Sequence, residues 1–169
     1  MRKQKGFSLI ELLIVVAIIL IIAAIAIPNL MRARMAANDS SAAASERTII
    51  TGEIGYAAAY PTIGYAALGA LGGAVPCTPL PATGCLIDDN LASNGTPAGA
   101  GKSGYSFSVN LVAAAIPIQF DTEGTPLSAQ TGTKAFCGME DGVVRVNTPG
   151  VIAAAAGYAG CQKFLPMAN

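Results

Sequence analysis

The strongest constraint in this chain is the stretch RKQKGFSLIELLIVVAIILIIAAIAIP from Arg2 to Pro28. Arg2, Lys3 and Lys5 form a short basic head that ends at Gly6, and Phe7 to Ile27 is apolar almost throughout. As a helix this run spans about 31 Å at ~1.5 Å per residue. That matches a bilayer hydrocarbon core of roughly 30 Å. The segment is therefore built to cross a membrane, which leaves any folded domain to the residues that follow. One acid, Glu11, interrupts the apolar run.

Glu11 needs a partner. An acid in a membrane helix is unfavourable by about 2.5–3.5 kcal/mol on insertion scales, and such residues are usually paired. The run from Phe7 to Ile27 contains no Lys or Arg. A cut after Gly6 would supply one, because Phe7 would then carry a free α-amino group that a second copy of the chain could present to Glu11. Opposite charges ~4 Å apart at an effective dielectric of 20 attract by about 4 kcal/mol, enough to offset the buried acid.

The residues Lys5-Gly6-Phe7-Ser8-Leu9-Ile10-Glu11-Leu12 resemble the prepilin peptidase site of type IV pilins and type II secretion pseudopilins. The resemblance is sharp over roughly residues 1 to 60 and weak beyond. It implies cleavage after Gly6, N-methylation of Phe7, and pairing of Glu11 with a neighbouring subunit's N-terminus during assembly. The leader of six residues fits the short-leader branch, and Pro28 falls where that family kinks its helix. The implied partners are further copies of the chain in a helical homopolymer, the prepilin peptidase, the inner-membrane assembly machinery, and the lipid bilayer before assembly. The implied location is the inner membrane, single-pass with the N-terminus cytoplasmic, and then an extracellular pilus or a periplasmic pseudopilus.

Two plainer readings compete. Ala24-Ile25-Ala26 has the A-x-A form of a signal peptidase site, but the run is long for a signal core and Glu11 is out of place in one. A plain anchor is the other. The head at Arg2, Lys3 and Lys5 favours a cytoplasmic N-terminus, and Arg32 and Arg34 on the far side weaken that preference.

Charge and residue usage narrow the function further. The 169 residues hold ten Lys plus Arg and ten Asp plus Glu. Three of the bases lie in the leader, so a chain starting at Phe7 carries an excess of three acids. No broad basic field argues for nucleic acid. The chain has no histidine, which removes the commonest general base and metal ligand. No catalytic constellation is apparent, and the chain reads as a substrate of processing, not an enzyme. Asp121, Glu123, Glu140 and Asp141 fall at expected turns and read as solvated acids.

Cys77, Cys85, Cys137 and Cys161 form an even set, which in an exported domain suggests disulfides. Three pairings are open. Cys77–Cys85 with Cys137–Cys161 is favoured because each joins sequence neighbours and closes its own loop, and the second also resembles the C-terminal disulfide loop of many pilins. The spacing suits no zinc site, and no cofactor or metal is expected.

The expected fold is α+β and pilin-like, a long N-terminal helix packed on a small antiparallel sheet. In outline, the leader is 1–6, the helix 7–60 with 7–27 transmembrane, and the globular domain 61–169. The last divides into a connecting region 61–103, a sheet 104–147 and a tail 148–169. Ile50 and Ile54, with Ala43 and Ala57, form the stripe expected to face the sheet. Tyr56 and Tyr60 form a second i, i+4 pair, and Tyr60-Pro61 ends the helix. Ala66 to Leu71 suits a short helical turn, and Asp88-Asp89-Asn90 a turn or cap, since it lacks an EF-hand spacing. GTPAGAGKS, from Gly95 to Ser103, has one residue too many between its glycines for a phosphate loop and reads as a loop. Gly104–Val112 and Ile116–Asp121 are strand candidates, the second with Ile116, Ile118 and Phe120 inward and followed by an Asp121–Gly124 turn. Ala135–Gly138 and Val143–Val146 form a hairpin around Met139–Gly142.

A subunit of a type IV pilus is the leading functional reading, and a major-type pseudopilin of a type II secretion system is the runner-up. A membrane-anchored or secreted monomeric binding domain is the alternative of another class.

Overall fold

The computed structural model describes residues 7–147, 155 and 157–167. The leader, with Gly6, and residues 148–154 of the tail lie outside the described residues. Two compact units divide the chain, Met1–Arg34 and Met35–Asn169. Helix α1 runs from Leu9 to Ala59. An 18-residue stretch of it has a mean hydropathy of 3.3 and is not buried within the chain, so by length and composition the helix is able to cross a membrane. The helix continues through Pro28, whose ring nitrogen cannot donate to the Ala24 carbonyl.

In the second unit the fold is α+β. Helix α1 ends at Ala59, ahead of Pro61, as a residue before proline avoids helical geometry. The connection holds two single turns, α2 (Leu68–Leu71) and α3 (Asp89–Ala92). Asp88 caps α3 by accepting from the Leu91 N–H at 2.9 Å. Five antiparallel strands follow in meander order: β1 (Tyr105–Leu111), β2 (Phe120–Pro126), β3 (Phe136–Met139), β4 (Arg145–Val146) and β5 (Leu165–Pro166). A last helical turn, α4 (Tyr158–Cys161), lies between β4 and β5.

Alternation along the strands gives the sheet two covered faces. Tyr105, Phe107, Phe120 and Phe136 join Ile49 and Ile50 of α1 in the main core. On the other face Cys137 and Met139 pack with Cys161, Tyr158 and Phe164. Two glycines let the helix approach. A β-carbon on Gly138 would lie 2.2 Å from Ile50 Cδ1, and one on Gly124 would lie 2.6 Å from Glu46 Oε1. Glycine inside a central strand serves that kind of close approach.

Several expectations are corrected. Ile54 is 44 % exposed, and the buried face of α1 carries Ala42, Glu46, Ile49, Glu53 and Tyr56 together with Ala43 and Ile50. Apolar spacing alone misplaced that face, because two of its central positions are acids. The second strand starts at Phe120, so Ile116 and Ile118 are exposed loop residues, 43 % and 72 %. Asp121–Gly124 is strand and not turn: it pairs with Phe107–Asn110 on one side and Phe136–Met139 on the other. Pairing on both edges satisfies its backbone groups and overrides its turn-like composition. The first hairpin instead closes further out, where the Val112 N–H donates to the Gln119 carbonyl at 3.0 Å. The tail adds a strand that the sequence reading lacks, with Leu165 opposite Val146.

Candidate functional site

Site geometry begins at the start of α1. Phe7 is 80 % exposed. The Ser8 backbone N–H donates to Glu11 Oε2 at 2.9 Å, and the Leu12 N–H donates to the Ser8 carbonyl at 3.3 Å. Ser8-Leu9-Ile10-Glu11 is thus one arm of a capping box, in which the acid three residues after the cap bonds back to the cap's own N–H. The S-x-x-E spacing ahead of an apolar run is the sequence signal for this cap. The carboxylate also lies in the first turn, where the helix dipole favours an anion. Among the described residues Glu11 Oε1 accepts no hydrogen bond.

The four cysteines lie far along the chain from this segment. Cys77 is bonded to Cys85 and Cys137 to Cys161, each pair with Cα atoms 5.9 Å apart. The first closes a loop beside α1, where the Tyr56 hydroxyl donates to the Pro81 carbonyl at 2.6 Å. The second ties β3 to α4, and both of its cysteines are buried.

Other polar groups are structural. The Tyr105 hydroxyl lies 2.6 Å from Asp39 Oδ1 and 2.9 Å from the Lys134 carbonyl oxygen. Burial and the Asp39 bond hold that phenol well above its ordinary value. Thr133 donates to Asp39 through its N–H at 3.0 Å and its hydroxyl at 2.6 Å. Of the four acids read as solvated, Asp121 is 1 % exposed and accepts from Asn110 Nδ2 at 2.9 Å. Burial raises its carboxyl, Asn110 lowers it, and Glu123 raises it further, for a net rise. Glu123 accepts from the Gly157 N–H at 3.0 Å, Glu140 from the Tyr158 hydroxyl, and Asp141 pairs with Arg145. Among the described residues no three His, Cys, Asp or Glu side chains gather as a metal site would require. Ser103 is followed by β1, not by a helix N-terminus that could hold a phosphate.

Two acids on the inner face of α1 were missed as buried groups. Glu46 Oε2 accepts from the Thr122 hydroxyl. Its carboxyl is pushed up to about 8 by burial, with the Thr122 bond opposing and Glu123 and Asp121 adding to the rise. Glu53 Oε2 accepts from the Ala66 N–H at 3.0 Å. Burial pushes Glu53 up to about 7, against that bond.

Comparison with known proteins bears on the first of these regions. Residues 1–27 match the family described as prokaryotic N-terminal methylation motif. Over 40 residues it is 68 % identical to the type IV wide pilus major component PilA4 of Thermus thermophilus, a match covering 24 % of this chain and 30 % of that relative. No solved structure matches the chain. The methylation motif thus includes Phe7, the helix start and Glu11, while the sheet unit lies outside it.

Proposed function

We propose that this chain is a subunit of a type IV pilus, cleaved between Gly6 and Phe7 by a prepilin peptidase and methylated at Phe7. The observation that carries the reading is the methylation motif on residues 1–27, set on a helix whose apolar half has no cover within its own chain. Such a helix needs lipid around it or copies of itself. Before assembly it would sit in the inner membrane, its basic head on the cytoplasmic side. Assembly machinery there would move it into the filament. The likeness to a wide-pilus major component is the reason for preferring a pilus to a secretion pseudopilus.

Glu11 would make two contacts. One oxygen holds the Ser8 N–H of its own helix, and the other would receive the freed Phe7 amine of a neighbour. Such a contact is head-to-tail and does not close on itself, so repetition yields a helical filament. The two roles are separable. Glutamine keeps a capping-box acceptor but loses the charge, and about 4 kcal/mol of attraction per contact corresponds to roughly a thousandfold in association. Glu11→Gln in the native host should leave the processed chain in the membrane at normal abundance while surface filaments, counted by electron microscopy, are lost. Filaments at wild-type number would show that the charge is not used in assembly.

A further inference from the structure

Glu46 and Glu53 lie seven residues apart, two turns along the inner face of α1, and both are fully buried. Each has one bonded oxygen and one without a partner. In Glu46, Oε2 takes the Thr122 hydroxyl of β2, and Oε1 faces Gly124 on the same strand. In Glu53, Oε2 takes the Ala66 N–H of the connection after α1, and Oε1 is unbonded. We infer that Glu46 and Glu53 form a proton-loaded clamp that holds α1 to β2 and to the 60–67 connection, tight while both carboxyls are protonated and loosened when they ionise.

The surroundings give the charged form little support, one donor to each carboxyl: the Thr122 hydroxyl and the Ala66 N–H. A buried carboxylate needs donors on both oxygens or a cation beside it. The charged groups of β2 that act on Glu46 are Asp121 and Glu123, both acids. The titratable groups around Glu53 are the phenols of Tyr56 on α1 and Tyr65 on the connection, and Glu140 after β3 acts on the same Tyr65. Among the described residues no lysine or arginine acts on either carboxyl. A neutral carboxyl suits such a site, because its remaining hydrogen-bonding demand is small.

The sign follows from the raised values, about 8 for Glu46 and about 7 for Glu53 against an ordinary 4.5. Between 4.5 and those values the folded chain holds protons that the unfolded chain has released. The clamp's contribution is complete below about pH 4.5, is lost as pH rises to about 7 and 8, and then stays constant. Each group raises the unfolding equilibrium constant about tenfold per pH unit inside its window.

The test is urea unfolding of the full chain in detergent micelles from about pH 5 to about pH 9. The logarithm of the unfolding constant should climb by about two per pH unit to pH 7, about one from pH 7 to 8, and level off. Asp121, also raised by burial, adds the same slope to the wild type and to the variants. Glu46→Gln and Glu53→Gln should each remove about one from the slope, and the double variant about two. A double variant with the wild-type slope overturns the clamp. If the variants fail to fold, infrared spectra of the wild-type chain decide. A protonated-carboxyl stretch present at pH 6 and lost by pH 9 supports the clamp, and its absence at pH 6 overturns it.

Discussion

Replacing Asp39 with alanine is the most informative perturbation of the sheet unit. Asp39 is only 7 % exposed, and it bonds to Tyr105 of β1 and to both the N–H and the hydroxyl of Thr133. It therefore ties α1 to the edge strand and to the loop between β2 and β3. Hydrogen bonds to a charged acceptor contribute about 1.5–3 kcal/mol each. The three do not add fully, because Thr133 is exposed and its donors would turn to water, and the Tyr105 hydroxyl keeps the Lys134 carbonyl at 2.9 Å. The net loss for Asp39→Ala should be about 2–4 kcal/mol. Asp39→Asn keeps one acceptor oxygen and should cost about 1 kcal/mol. Urea unfolding of the full chain in micelles measures both. In a double-mutant cycle, Asp39→Ala with Tyr105→Phe should show a coupling of about 1 kcal/mol or more, as groups in one network do. An Asp39→Ala loss under about 0.5 kcal/mol, with no coupling to Tyr105, would refute the reasoning.

The corrected face of α1 makes its own predictions. Ile49→Ala, at a position with no exposure, should lower stability by about 2–5 kcal/mol in the same unfolding assay. Ile54→Ala, at 44 % exposure, should cost under about 1 kcal/mol; equal losses at the two sites would restore the apolar-stripe reading.

The long helix and its end were legible because their signals are local. The apolar run, Pro61 after Tyr60, and the alternation of Tyr105 and Phe107 each act through neighbouring residues. The buried face of α1 was less so. Glu46 and Glu53 find their partners inside, the Thr122 hydroxyl and the Ala66 N–H, on segments 76 and 13 residues away. No periodicity within α1 carries that fact. The second strand was displaced for a similar reason, since Asp121-Thr122-Glu123-Gly124 has turn composition and becomes strand through its neighbours β1 and β3. Strand β5 depends on a pairing of Leu165 with Val146, two apolar residues whose meeting no local pattern announces. The start of α1 is the opposite case. Its signal, the Ser8–Glu11 capping spacing, is local and plain in the sequence.

The central claim is that the chain enters a filament after processing at Gly6–Phe7. The most direct test is the intact mass and N-terminal sequence of the protein recovered from surface filaments of its native host. The account predicts an N-terminus at methylated Phe7. An N-terminus at Met1 or at Ile27, the residue after the A-x-A sequence at Ala24–Ala26, would contradict it, the first by leaving an uncut anchor and the second by discarding the helix on which assembly depends.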